Sequence, residues 1–143
     1  MILYLDTSSL VKLYVEEEHT SSVRAWAHEA DVLATSRVAL PEAMAALARR
    51  WRESALDDAA FERVRTALST DWDSFVIVDT DERLAGDLAV RHSLRGFDAI
   101  HLAAALVLDQ GTHEVAIGFA SFDERQRQSA QAEGLMVLGP PPG

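Results

Sequence analysis

The chain has no cysteine, and Lys12 is the single lysine among its 13 basic residues. The first absence excludes disulfides and thiolate-held metals, and it fits a reducing cytoplasm as the working compartment. The second removes any chemistry that needs a lysine late in the chain. Positive charge is scarce altogether: 23 Asp and Glu outweigh the basic residues, for a formal net charge of −10. Tight, sequence-independent binding of nucleic acid by blanket charge neutralisation therefore does not fit. A nuclease survives this test, because metal ions and local arginines can carry the phosphate contacts. Long apolar runs are also missing. None approaches the roughly 20 residues of a membrane span. No basic segment precedes the first apolar run, so neither a membrane anchor nor a signal peptide is expected.

What is present is a chain of 143 residues, 48% of them apolar, which suits one folded domain with a full core. Strand-like and helix-like runs alternate, the pattern of a parallel sheet with helices on both faces. Strands are expected over residues 1–5, 31–35, 75–78, 115–119 and 135–138. Helices are expected over 7–15, 20–30, 36–53, 57–72, 81–93, 98–109 and 124–132. The helix from Asp98 is apolar almost all round and reads as buried. Pro41 interrupts the third helix. Either a kink or a short turn before a helix that starts at Pro41 is expected there. The tail 140–143, Pro-Pro-Pro-Gly, cannot join the sheet and reads as flexible, leaving 1–139 as a single domain without repeat or linker.

Four acids fall at junctions of this pattern. Asp6 ends the first apolar run, and Asp123 follows the run ending Phe119-Ala120. Asp98 opens its helix as cap or first residue, and Glu42 lies near a helix start after the second strand. Singly, each reads as a cap, a turn residue or a solvated first-turn acid. Jointly, caps give no reason for converging on one edge, whereas ligands in open parallel sheets bind beyond the carboxyl ends of the strands. Acids gathered from four segments repel one another, so a hard divalent cation and phosphate chemistry follow. By contrast, Glu16, Glu17 and Glu18 read as a solvated helix end.

The stretches Ile2-Leu3-Tyr4-Leu5-Asp6-Thr7-Ser8, Ser36 with Glu42, Arg95-Gly96-Phe97-Asp98-Ala99-Ile100-His101-Leu102-Ala103 and Ala120-Ser121-Phe122-Asp123 resemble the signature blocks of PIN-domain nucleases. The likeness is greatest to the VapC toxins of toxin–antitoxin pairs. It spans essentially the whole chain, and the block around Asp98 is the most specific. The resemblance implies a three-layer α/β/α fold around a parallel sheet of about five strands. It also implies an endoribonuclease dependent on Mg²⁺ or Mn²⁺, a homodimer, and a VapB-like antitoxin as partner. Asp6, Glu42, Asp98 and Asp123 match its four acidic positions. Magnesium keeps several waters and takes few carboxylates, so Asp6 and Asp98 are expected on the metal directly, Asp123 directly or through water, and Glu42 through a bound water. Thr7, Ser8 and Ser121 match hydroxyl positions that help hold metal, water or phosphate, and Ser36 accompanies Glu42.

Other residues stay open between two readings. Arg95 and Arg91 suit RNA phosphates or a solvated helix end. Arg49, Arg50 and Arg52 suit RNA, an acidic partner or plain surface. His101, one turn after Asp98, either faces the site or packs beside the sheet. A phosphoacceptor receiver domain and a haloacid-dehalogenase-like phosphatase both need a late lysine, and the latter an aspartate where Ser8 stands. A processing nuclease that is not a toxin, and a non-catalytic PIN-like module, remain as alternatives.

Overall fold

A computed structural model describes residues 1–141. In chain order the elements are β1 (Ile2–Leu5), α1 (Thr7–Lys12), α2 (Thr20–Glu29), β2 (Val32–Ser36), α3 (Ala39–Arg52), α4 (Asp58–Trp72), β3 (Val76–Val78), α5 (Glu82–His92), α6 (Gly96–Gly111), β4 (Ile117–Ala120), α7 (Glu124–Ala132) and β5 (Met136–Leu138). The strands form one sheet in the order β3-β2-β1-β4-β5, and every pairing is parallel. Ile2 stands opposite Val32 on one side and Ile117 on the other. The expected three-layer α/β/α architecture with five parallel strands is what the chain adopts.

The pleat of β1 divides the core in two. Tyr4 packs with residues of α5, α6 and α7, together with Phe119 and Ile117. Leu3 and Leu5 pack with residues of α1, α2, α3 and α4. A strand covered on both faces needs apolar side chains throughout, which is why β1 reads as a continuous run rather than an alternation. Helix α6 follows the same logic: Ala99, His101, Leu102, Ala103, Ala104, Ala105 and Leu106 are all buried. Helices α3 and α4 meet where the Trp51 ring stacks on Phe61 at 4.5 Å. Among the described residues, no helix is long and apolar enough to cross a membrane.

Several boundaries differ from expectation by one to three residues, and three of them have a clear local reason. Helix α1 stops at Lys12, not residue 15, because the Thr20 hydroxyl donates to the Val15 carbonyl at 3.0 Å and accepts the Glu17 N–H at 3.0 Å, closing a turn. Helix α3 starts at Ala39, so Pro41 lies inside the first turn, where a missing N–H breaks no intrahelical bond. Glu42 makes the bond back to the Val38 carbonyl at 3.3 Å. Helix α6 starts at Gly96, with Arg95 as its N-cap, so Asp98 is its third residue and neither its cap nor its first. Gly139 to Pro141 carry no helix or strand, and the rest of the expected tail lies outside the described residues.

Leu47 is fully buried in the core beneath α3. Leu47→Ala is expected to lower unfolding free energy by about 2–5 kcal/mol, measured as a shift of the urea midpoint at constant slope. A loss under about 0.5 kcal/mol, the range of a surface substitution, would contradict this packing.

Candidate active site

The chain winds from β1 through β2 to β3 on one side, then crosses to β4 and β5 on the other. Strand order therefore reverses between β1 and β4, and a crevice opens beyond their carboxyl ends. Asp6 directly follows β1, and Asp123 lies three residues past β4. Helices α3 and α6 bring Glu42 and Asp98 to the same place. All four acids line one cleft of ≈ 930 Å³, together with Thr7, Ser8, Arg95 and His101.

Two of the acids also hold the fold. Asp6 caps α1: its Oδ1 accepts the Ser9 N–H at 2.9 Å and the Ser8 hydroxyl at 3.0 Å. Asp123 caps α7, its Oδ1 accepting the Gln126 N–H at 2.8 Å. Both residues thus cap a helix and line the cleft at once. Each cap engages Oδ1 alone, and among the described residues no donor is hydrogen-bonded to either Oδ2.

Asp98, free of capping duty, carries the charge conflict. Burial pushes its carboxyl above the ordinary range, and the nearby negative charges of Asp123 and then Asp6 push it the same way. Arg95 and His101 act in the opposite direction without prevailing. The Arg95 guanidinium stands 3.6 Å from Asp98 and is otherwise exposed at the cleft mouth.

Glu42 shows the reverse balance. Burial pushes its carboxyl up, but hydrogen bonds from His101 and Thr7 outweigh this and hold it below the usual range. Its Oε1 accepts the Thr7 hydroxyl at 2.7 Å and lies 3.0 Å from His101 Nε2. His101 Nε2 is also 2.9 Å from Thr7 Oγ1, while Nδ1 is 2.8 Å from the Tyr4 hydroxyl.

Ser36 and Ser121 do not line the cleft. Both are fully buried. Ser36 Oγ accepts the Val38 N–H at 3.3 Å, and Ser121 Oγ accepts the Asp123 N–H at 3.2 Å, so each hydroxyl shapes the turn that leads to an acid. Sequence reasoning missed Gln126. Its side chain donates to the Asp98 carbonyl at 3.0 Å and accepts the Ser121 hydroxyl at 3.3 Å, clamping α7 to α6. No local pattern announces this clamp, since Asp98 lies 28 positions away in the chain. Glu17 is not a solvated helix end either. Lys12 and Arg50 pair with it at 2.9 Å each, inside the far end of the cleft. Arg49 and Arg50 line the cleft, whereas Arg91 pairs with Glu133.

Among the described residues, no three His, Asp or Glu side chains are gathered closely enough to cage an ion. The candidate donors are nevertheless all hard carboxylate oxygens, each acid keeping at least one oxygen that accepts no hydrogen bond among the described residues, and Arg95 and His101 do not offset the like charge at Asp98. That fits a magnesium-like ion, which keeps several of its waters and reaches some carboxylates through them.

The family model described as PIN domain matches residues 3–131. Ribonuclease VapC45 of Mycobacterium tuberculosis (strain CDC 1551 / Oshkosh) is 34% identical over 143 residues, covering 95% of this chain and 94% of that protein. Among solved structures, M. tuberculosis VapC20, described as a sarcin–ricin loop cleaving toxin, aligns with a TM-score of 0.64 at 20% identity, over 96% of this chain and 99% of that one. VapBC2 from Rickettsia felis, bound to a DNA fragment from its promoter, aligns with a TM-score of 0.63 at 13% identity, over 97% and 98%. At such identities the two structures speak for the fold alone.

Because its carboxyl titrates above the ordinary range when folded, Asp98 favours the native state most when protonated. That contribution is complete below the unfolded pKa and is lost as pH rises through the folded one. In chelator, Asp98→Asn is therefore expected to raise Tm at neutral pH, with the gain shrinking as pH falls through the carboxylate range. A variant less stable than wild type at neutral pH would show that the crowding of charge at Asp98 is not the governing effect.

Proposed function

The chain belongs to the PIN-domain family, and on that premise we propose that it is a metal-dependent endoribonuclease that hydrolyses RNA phosphodiester bonds. We propose further that it acts in the cytoplasm as the toxin of a VapBC-type pair, as a homodimer held in check by a VapB-like antitoxin. The observation that carries the proposal is the gathering of Asp6, Glu42, Asp98 and Asp123 into one cleft at the switch point of the sheet.

Asp6, Asp98 and Asp123 would hold Mg²⁺ or Mn²⁺. Such an ion, when bound, lowers the pKa of a coordinated water and offsets charge on the phosphate oxygens. Glu42, ionised at neutral pH, accepts hydrogen bonds from the attacking water and orients it. Thr7 keeps one oxygen of Glu42 occupied, so the other faces the reaction. Arg95 at the mouth contacts a phosphate of the RNA, a role its exposed guanidinium suits better than a lysine would. Lys12 and Arg50 supply local positive charge in a chain that is acidic elsewhere. Gln126 keeps α6 and α7 in register, so that Asp98 and Asp123 stay together. The relatives named as VapC ribonucleases favour the toxin role over a processing role. An acidic pocket rimmed by arginines suits an antitoxin whose own arginine competes with the cation.

Cleavage of a mixed RNA pool is expected with Mg²⁺ or Mn²⁺ and not with chelator. Asp98→Asn and Asp6→Asn should each cut the rate by on the order of 100-fold or more with circular dichroism unchanged. Full activity in either variant would sink this mechanism. Expression alone should arrest growth, and co-expression of the adjacent gene should relieve the arrest. Growth unaffected by an active nuclease would favour a processing enzyme.

A further inference from the structure

We infer that His101 is a positioning residue for Glu42: its Nε2–H, set by a hydrogen bond from the buried Tyr4 hydroxyl to Nδ1, presents the Glu42 carboxylate to the cleft. The kinetic part of this inference rests on the nuclease reading above, while the geometric part does not.

Hydrogen counting selects the tautomer. Three heteroatoms converge on the imidazole: Tyr4 Oη at Nδ1, and Thr7 Oγ1 and Glu42 Oε1 at Nε2. Three hydrogens are available, from the tyrosine hydroxyl, the threonine hydroxyl and one ring nitrogen. If Nε2 carries the ring hydrogen, every contact is served. Tyr4 donates to Nδ1, Nε2–H is shared between Thr7 Oγ1 and Glu42 Oε1, and Thr7 donates to Glu42 Oε1. If Nδ1 carries it, the Nε2 lone pair faces a carboxylate oxygen at 3.0 Å. The one threonine hydrogen then has to serve both acceptors.

Tyr4 can act as the fixed end because nothing around it gives. It is fully buried, stacked on Phe119 at 5.5 Å and set edge-on to the His101 ring at 5.9 Å. Burial and the charges of Asp6 and Glu42 keep its hydroxyl protonated, hence a donor. The relay thus runs from β1 through α6 to α3, with Thr7 of α1 joining at its end. Glu42 Oε1 is committed twice over, and among the described residues Oε2 has no hydrogen-bond partner. That oxygen is the one left to hold a water. Without the imidazole, a half-buried carboxylate on the first turn of α3 would keep a single side-chain donor, Thr7, and swing about its own torsions.

The ring ¹⁵N shifts of His101 in the metal-free, full-length protein test this directly, since they separate a ring nitrogen that bears hydrogen from one that accepts. Nε2 protonated and Nδ1 accepting is expected in wild type, with the Nδ1 shift moving in Tyr4→Phe. An unprotonated Nε2 would overturn the inference whether or not the protein cuts RNA. With RNA, His101→Leu is expected to lower kcat by ~10- to 100-fold at little-changed KM. His101→Gln, whose amide N–H can replace the donor, should recover part of that loss. Leucine retaining full kcat, or glutamine recovering nothing, would overturn it. Wild type that cleaves no RNA under any metal would count against the nuclease reading alone, and the ¹⁵N shifts would still decide the role of His101.

Discussion

Strand β1 is hydrogen-bonded to a parallel neighbour along both edges and covered by helices on both faces. Its pleat leaves no freedom of register, because a slip of one residue would exchange Leu3 and Leu5 for Tyr4 between two differently shaped cores. Everything in the cleft is placed relative to this strand. Its last residues set Asp6 at the switch point, Tyr4 aims its hydroxyl at His101, and the chain leaves it through the turn that carries Thr7 and Ser8. The site is precise because it is built outward from the most constrained backbone in the molecule.

Such a site works against folding. Asp6, Glu42, Asp98 and Asp123 crowd around the switch point, and the displacement of Asp98 toward its neutral form is the direct sign of that cost. The fold offsets it in part by geometry. Each acid lies at the start of a helix: Asp6 and Asp123 as caps, Glu42 and Asp98 in first turns. Four helix N-termini thus direct unpaired N–H groups and positive dipole ends toward the cleft. The remaining conflict is selective, since Glu42 is relieved by His101 and Thr7 while Asp98 is not. Two carboxylates in the same cleft accordingly stand on opposite sides of their ordinary range, one suited to hold water and one suited to accept a cation.

Much of this was legible in the chain itself. Strand and helix alternation gave the layers, and the four junction acids gave the cleft, because parallel topology sends strand ends to one edge. What escaped has a common cause. The pairing of Glu17 with Arg50, the clamp of Gln126 on the Asp98 carbonyl and the relay through His101 all join residues 28 or more positions apart, and no local periodicity encodes them. Boundaries failed where side chains overrode propensity: the Thr20 hydroxyl cut α1 short, and α3 began early enough to take Pro41 into its first turn. Ser36 and Ser121 had the right positions in sequence, yet buried turns took up their hydroxyls. Capping does not exclude Asp6 or Asp123 from binding a ligand, since a carboxylate has two oxygens.

That double use shapes how this protein can decay. Replacing Asp6 or Asp123 with a residue that cannot cap forfeits about 1 kcal/mol of helix stability at each position, along with the role proposed for it in the cleft. Asparagine keeps the cap and loses only the charge. A lineage under pressure to silence the enzyme while keeping the folded body has few neutral exits, and they run through amides. Fold and activity are therefore inherited as a linked pair, and an intact body at these positions tends to carry an intact site.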